Sequence, residues 1–238
     1  MSFTIDIYSD GAVIEDMLKM KSAGNISGFT TNPSLMKQAG ITNYVAFAKE
    51  VLDKVDGMPI SFEVFADDFE TMEKEALKLA SLGENVYVKI PITNTKGESS
   101  AELIHKLSKE GLKLNITAIM TLEQVSATVD ALVEGTENIV SVFAGRVADT
   151  GVDPLPLMEE SLKICRQKAG TKLLWASSRE LYNIIQAEKI GVDIITATPA
   201  ILSKLTMYHM DLNELSLETV KMFNRDIETL GFTILDAE

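Results

Sequence analysis

Eight short runs rich in β-branched and aromatic residues, separated by segments of helical period, predict a (β/α)8 TIM barrel for this chain of 238 residues. Three observations carry that prediction. The strand–helix alternation is strict, the crossovers are long enough to join parallel strands, and eight such units in about 200 residues suit closure of the sheet. An open doubly wound sheet is the alternative, but no GxGxxG follows the first run.

The strands are expected at TIDIYSD (4–10), ISGFTTN (26–32), PISFEVFA (59–66), NVYVKIPI (85–92), KLNITAIM (113–120), IVSVFAGRV (139–147), KLLWASS (172–178) and DIITATP (193–199). In the fourth run, β-branched and aromatic residues occupy both parities of the pleat, as in a strand covered on both faces. Helical stripes intervene at Ile14, Met17 and Leu18; at Tyr44, Phe47, Val51 and Val55; and at Phe69, Met72, Ala76 and Leu79. Further stripes lie at Leu103 and Leu107; at Val125, Val129 and Leu132; and at Leu157, Leu162 and Ile164. Glycines in KSAGN, SLGEN, SKEGL and EKIGV mark helix ends, and Pro199 opens a helix after the eighth strand.

Beyond the barrel, Val220, Phe223, Ile227 and Leu230 form one stripe that stops at Gly231, an additional C-terminal helix over about residues 213–231. It packs either on its own barrel or on a neighbouring subunit; both readings stay open, and a homo-oligomer is expected. No Ser/Gly-rich linker interrupts the chain, so residues 1–238 are expected to form one domain.

A hydrophobic content of 46% supports a full core. With 22 Lys+Arg against 35 Asp+Glu, the net charge of −13 disfavours nucleic acid and anionic membranes as partners. An anionic ligand must then be held by local arginines. A single cysteine, Cys165, leaves no internal disulfide, and His105 and His209 without a second thiol give no zinc or iron–sulfur spacing. Neither a metal nor a cofactor is expected. The N-terminus lacks a basic segment followed by an apolar one, and no run reaches the roughly 18 apolar residues of a membrane span, so a reducing cytoplasm is the expected compartment.

Active sites of such barrels lie at the C-terminal mouths of the strands. There the sequence places Asp10 on strand 1, Thr30, Thr31 and Asn32 on strand 2, Glu63 on strand 3 and Lys89 on strand 4. Asn115 and Thr117 follow on strand 5, Ser141 and Arg146 on strand 6, and Ser177 and Arg179 on strand 7. Each has a bland reading when taken singly. Asp10 before Gly11 and Asn32 before Pro33 suit turns; Thr117 and Ser141 suit core hydroxyls; Glu63 and Lys89 suit a pair across adjacent strands. The arginines suit surface pairs with carboxylates such as Asp149 or Glu180. None of these readings predicts the convergence of all the residues at one mouth.

That set contains no Ser/His/Asp triad, metal shell or dinucleotide fingerprint. It does contain a lysine in a strand interior, where a charge is costly. Apolar walls lower the proton affinity of such an amine, leaving more free base to attack a ketone. The resulting iminium is an electron sink, so a carbon–carbon bond beta to it breaks once a carboxylate removes the proton of the neighbouring hydroxyl.

TTNPS (30–34), VKIP (88–91), NIT (115–117), SVFAGR (141–146) and ASSR (176–179) together resemble the small transaldolases and the related fructose-6-phosphate aldolases, in the order and on the strands of that family. The resemblance covers essentially the whole chain. It implies that Lys89 forms the Schiff base, that Asp10 is the acid/base at the donor hydroxyl, and that Glu63 and Thr117 hold the water of carbinolamine formation and dehydration. It further implies that Asn32, Asn115 and Ser141, with Thr31 beside them, bind the dihydroxyacetone unit, and that Arg146, Ser177 and Arg179 hold an acceptor phosphate. The sequence departs from the common pattern at Gly11, Val142 and Ser178, where threonine, proline and an aromatic residue are usual. Glu63 and Phe143 resemble the transaldolase subgroup rather than the aldolases, which have glutamine and tyrosine there. The implied partner is a small sugar phosphate or other anionic ketose; release of free dihydroxyacetone, or a modified ketose such as a 6-sulfonated one, are the alternatives.

Overall fold

Strands covered on both faces need helices outside and side chains filling the inside, and this chain supplies both. The computed structural model describes residues 3–232 and 234–236. Strands β1 (Asp6–Asp10), β2 (Gly28–Thr30), β3 (Ile60–Glu63), β4 (Val86–Pro91), β5 (Leu114–Ile119), β6 (Asn138–Val142), β7 (Thr171–Trp175) and β8 (Ile194–Ala197) pair in chain order as a closed barrel. Pairing is parallel throughout, including β8 against β1.

The helices are α1 (Ile14–Ala23), α2 (Pro33–Gln38), α3 (Tyr44–Val55), α4 (Phe69–Ala80), α5 (Ala101–Lys109) and α6 (Leu122–Ala131). They continue with α7 (Ala144–Asp149), α8 (Leu155–Cys165), α9 (Tyr182–Ile190), α10 (Pro199–Leu202) and α11 (Leu212–Leu230). The apolar stripe of α6 is buried as expected, and those of α3 and α4 are buried except at their first residues, Tyr44 and Phe69, which are half-buried. In α8 the buried face is Met158, Ser161 and Cys165, while the expected Leu157, Leu162 and Ile164 flank it half-buried. Gly24 and Gly191 end α1 and α9 in the left-handed conformation, with φ of 70° and 77°.

Every strand is shorter than its β-rich run, and in two of them the shortening shapes the site. The 139–147 run leaves the sheet after Val142, because Phe143 turns the chain and Ala144-Gly145-Arg146 winds into α7. Arg146 therefore rides a helix, not a strand. The 26–32 run is a strand only over Gly28–Thr30, since Asn32 already caps α2 by accepting from the Leu35 N–H at 3.0 Å.

Because successive strand residues alternate faces, the register fixes which side chains fill the barrel. Tyr8, Tyr87, Ile139, Leu174, Ala176 and Ile194 form an apolar floor. Gly28 allows the Tyr8 ring to lie across this floor; a Cβ there would come within 2.6 Å of the ring. Above it, each strand repeats the same parity, and the next inward residues are Asp10, Thr30, Glu63, Lys89, Thr117 and Thr196.

The chain divides into two compact units, residues 1–202 and residues 203–238. The second holds a short 3-10 turn, Ser203–Met207, and α11, whose N-cap Asp211 accepts from the Asn213 and Glu214 N–H groups at 2.9 and 3.1 Å. Helix α11 ends at Gly231 and carries Val220, Phe223, Ile227 and Leu230 along one face, each more than half exposed.

Candidate active site

The inward parity of β4 sends Lys89 into the barrel, and the β3–β4 register sets Glu63 directly beside it. The two form a salt bridge of 3.0 Å, Nζ to Oε2, with side chains only 8% and 17% exposed. The amine also donates to the Thr31 carbonyl at 2.9 Å. Apolar walls alone therefore do not surround Lys89, contrary to the expectation from its strand; a carboxylate and a carbonyl hold the amine on one side and leave it open to a cavity on the other. The reason is closure of the barrel, which gathers polar side chains from separate strands into one layer.

That cavity, of about 760 Å3, opens at the C-terminal ends of the strands. Asp10, Asn32, Glu63, Lys89, Thr117, Ser141, Phe143, Arg146, Ser177 and Arg179 all line it. Thr31 and Asn115 do not: Thr31 has the opposite parity to Thr30 and lies behind the wall, whereas Asn115 points inward, beside Ile139, and lies below the cavity. The Thr31 hydroxyl donates to the Ser61 carbonyl at 2.9 Å. Asn115 is fully buried, with its amide donating to Ser61 Oγ at 3.0 Å and its carbonyl accepting from Ser141 Oγ at 2.6 Å. Asn115 thus orients Ser141 rather than facing the cavity.

Asp10 accepts from the Thr30 hydroxyl at 2.7 Å. Burial pushes its carboxyl above the usual aspartate range, with Glu63 adding to the rise and Lys89 and Thr30 opposing it. Thr117 Oγ1 is buried without a hydrogen-bond partner among the described residues, on a cavity wall where substrate or water can supply one. It reaches the cavity through an irregularity in the β5–β6 register between Ile116 and Ile119, with Ala118 at φ 61°.

At the rim, Ser177 sits at φ 65° and its carbonyl packs on Gly145, where an added Cβ would overlap it at 1.6 Å. This contact ties the start of α7 to the end of β7 and sets Arg146 and Arg179 on one side of the mouth. Arg146 stacks on the Phe143 ring, 5.5 Å from its centroid. Arg179 is paired: Nε donates to Asp149 Oδ1 at 3.0 Å and Nη2 to Oδ2, so the Asp149 alternative raised by the sequence is realised. The guanidinium holds the Asp149 carboxyl below its usual range. Among the described residues the Asp149 pair uses the Nε–Nη2 edge of Arg179, which leaves its Nη1 donors able to meet a second anion.

One known family matches this sequence. A model of the family described as Transaldolase/Fructose-6-phosphate aldolase matches residues 7–234. The chain belongs to the transaldolase/fructose-6-phosphate aldolase family. Proteins named "Probable transaldolase" are similar to it: that of Ruegeria sp. (strain TM1040) is 33% identical over 230 residues, covering 96% of this chain and 99% of that protein. That of Thermoanaerobacter sp. (strain X514) is 34% identical over 202 residues, 84% of this chain and 89% of the other. That of Methanococcus maripaludis (strain C7 / ATCC BAA-1331) is 37% identical over 199 residues, 83% and 88%. The chain is accordingly an enzyme of the transaldolase kind. Among the described residues no helix is long and apolar enough to cross a membrane.

Within this family framework, a primary amine, two carboxylates and a buried hydroxyl share one cavity with a cationic rim. Such a set can add an amine to a carbonyl, move the protons of that addition, and hold an anionic tail. Three contributors escaped the sequence reading: Thr196, which inward parity on β8 brings beside Thr30; Tyr44, whose hydroxyl donates to the Glu63 carbonyl at 2.8 Å; and Gly145. Counting the period of two from Ile194 would have found Thr196. Tyr44 and Gly145 act through tertiary contacts that no local pattern marks.

Proposed function

We propose that this enzyme transfers a dihydroxyacetone unit from a ketose phosphate, such as sedoheptulose 7-phosphate or fructose 6-phosphate, to an aldehyde acceptor through a Schiff base on Lys89. The observation that carries this reading is the buried Lys89 amine, 3.0 Å from Glu63 and in one cavity with Asp10 and Thr117. The amine adds to the ketone, and Glu63, with water held by Thr117, takes the amine proton and returns it as the carbinolamine hydroxyl leaves as water. Asp10 then removes the proton of the hydroxyl beta to the iminium. The carbon–carbon bond breaks, its electron pair enters the iminium to give an enamine, and the aldehyde leaves. Attack of the enamine on the acceptor carbonyl, with the Asp10 proton passed to the new alkoxide, reverses the step. Asn32 and Ser141 bind the hydroxyls of the retained unit, Asn115 supports Ser141 from below and Thr31 supports the wall from behind, and Arg146, Ser177 and Arg179 hold the phosphate.

Phe143 favours transfer over release. It puts a ring without a hydroxyl on the cavity wall, so no phenol assists hydrolysis of the three-carbon intermediate. Resemblance to the transaldolase subgroup at Glu63 and Phe143 supports the same choice. A cytoplasmic homo-oligomer working among the sugars of the pentose phosphate pathway is the expected setting. The test is to supply fructose 6-phosphate with and without an aldehyde acceptor. Three-carbon transfer to the acceptor, with little free dihydroxyacetone in its absence, is expected; rapid release without acceptor would point to an aldolase, and activity only on a sulfonated ketose to a different tail.

A further inference from the structure

Thr30 carries one hydroxyl proton and stands between two oxygens. Its Oγ1 lies 2.7 Å from Asp10 Oδ1 and 2.6 Å from Thr196 Oγ1, and both threonines are buried. While Asp10 is ionised it can only accept, so Thr30 must give its proton to Asp10. Thr30 can then only accept from Thr196, which fixes Thr196 as the donor of that contact. We propose that Thr196, on β8, is a positioning residue for Asp10: it donates to Thr30, strengthens the Thr30 hydroxyl as a donor, and so favours the ionised, base-competent carboxylate.

A hydroxyl that accepts a hydrogen bond becomes a better donor. The chain also has a second setting. Once Asp10 has taken a substrate proton it no longer needs the Thr30 donor, and Thr196 has another acceptor within reach, the Tyr8 carbonyl at 3.5 Å. The two hydroxyls then turn toward the floor of the barrel without any net proton movement, so the chain responds to the protonation state of Asp10 and does not relay protons itself. Thr196 is held for this task from both sides. Its backbone pairs with Tyr8 across the β1–β8 register, and its carbonyl accepts from Ser178 Oγ at 2.7 Å. The charged groups that face Asp10 are Glu63 from β3 and Lys89 from β4, and burial raises its proton affinity against Lys89 and Thr30. In that setting a donor withdrawn from the chain acts in the same direction as burial.

This inference rests on Asp10 being the base of the proposed reaction. The experiment compares Thr196→Val, which keeps the shape and removes the hydroxyl, with Thr196→Ser, which keeps the hydroxyl. The pH profile of kcat/KM on fructose 6-phosphate is measured for each, alongside borohydride trapping of the Lys89 adduct. The expected result is an acid limb moved to higher pH by about half a unit or more in Thr196→Val, the shift of one lost hydrogen bond, with the adduct still formed. Thr196→Ser is expected to bring the limb back. An acid limb unmoved in Thr196→Val, or moved equally in both variants, overturns the inference while trapping upholds the Schiff-base reading. Failure of the wild type to form an adduct overturns both.

Discussion

In the proposed reaction Lys89 and Glu63 are a single pair serving two ends. A buried ion pair is weak evidence for stability, but removing one partner leaves the other charge stranded. Lys89→Met is therefore expected to cost about 1–3 kcal/mol, below the full cost of breaking a buried pair because Glu63 lines the cavity and can be hydrated there. It should also reduce turnover below about a thousandth of wild type, as loss of a covalent nucleophile requires. Lys89→Met with Glu63→Gln should regain part of the stability and none of the activity. Urea titration of the two variants checks this; a single variant as stable as wild type would mean the pair is not strained by the missing amine. The lysine itself was legible in the sequence, since VKIP puts an ammonium in an otherwise apolar strand. Its carboxylate partner was legible only as an alternative, because the register that joins them is a tertiary fact.

The rim belongs to the elements rather than to single residues. Helix α7 begins where β6 stops, and the Gly145–Ser177 contact joins it to β7, so Arg146 and Arg179 approach one side of the mouth. The β-rich composition of IVSVFAGRV masked this break: Val147 and Phe143 suit a strand, but Ala144 and Gly145 do not hold one. In α8 the stripe was misplaced because small Ser161 and Cys165 on the buried face score as weakly apolar, while Leu157 and Leu162 flank it. Against a net charge of −13, a phosphate needs focused attraction at this rim. Arg179→Ala is expected to raise KM for phosphorylated ketoses at least about tenfold, the worth of one charged hydrogen bond, and to leave unphosphorylated ketoses nearly unchanged. The Asp149 carboxylate freed by that substitution adds repulsion to the lost attraction, so the effect on a dianion should exceed that on a monoanion. Steady-state kinetics on both substrate types decides it; equal losses would assign Arg179 to holding α7 in place.

At the scale of the molecule, eight strands of period two closed in chain order account for the meeting of residues as distant as Asp10 and Thr196. The alternation of strands and helices made that closure legible, and closure made the polar strand ends into one site. What stayed hidden was which members of the set reach the cavity: Thr31 belongs to the right motif but faces outward and bonds to the Ser61 carbonyl, and Asn115 faces inward but lies below the cavity, where Ser61 and Ser141 absorb its amide. The central claim is that this barrel places one amine where a ketose must meet it. Incubation with fructose 6-phosphate, reduction with borohydride and peptide mass spectrometry test that claim most directly. The account predicts a reduced three-carbon adduct on Lys89 that is absent from Lys89→Met; an adduct on another lysine, or none on a protein that turns over substrate, would contradict it.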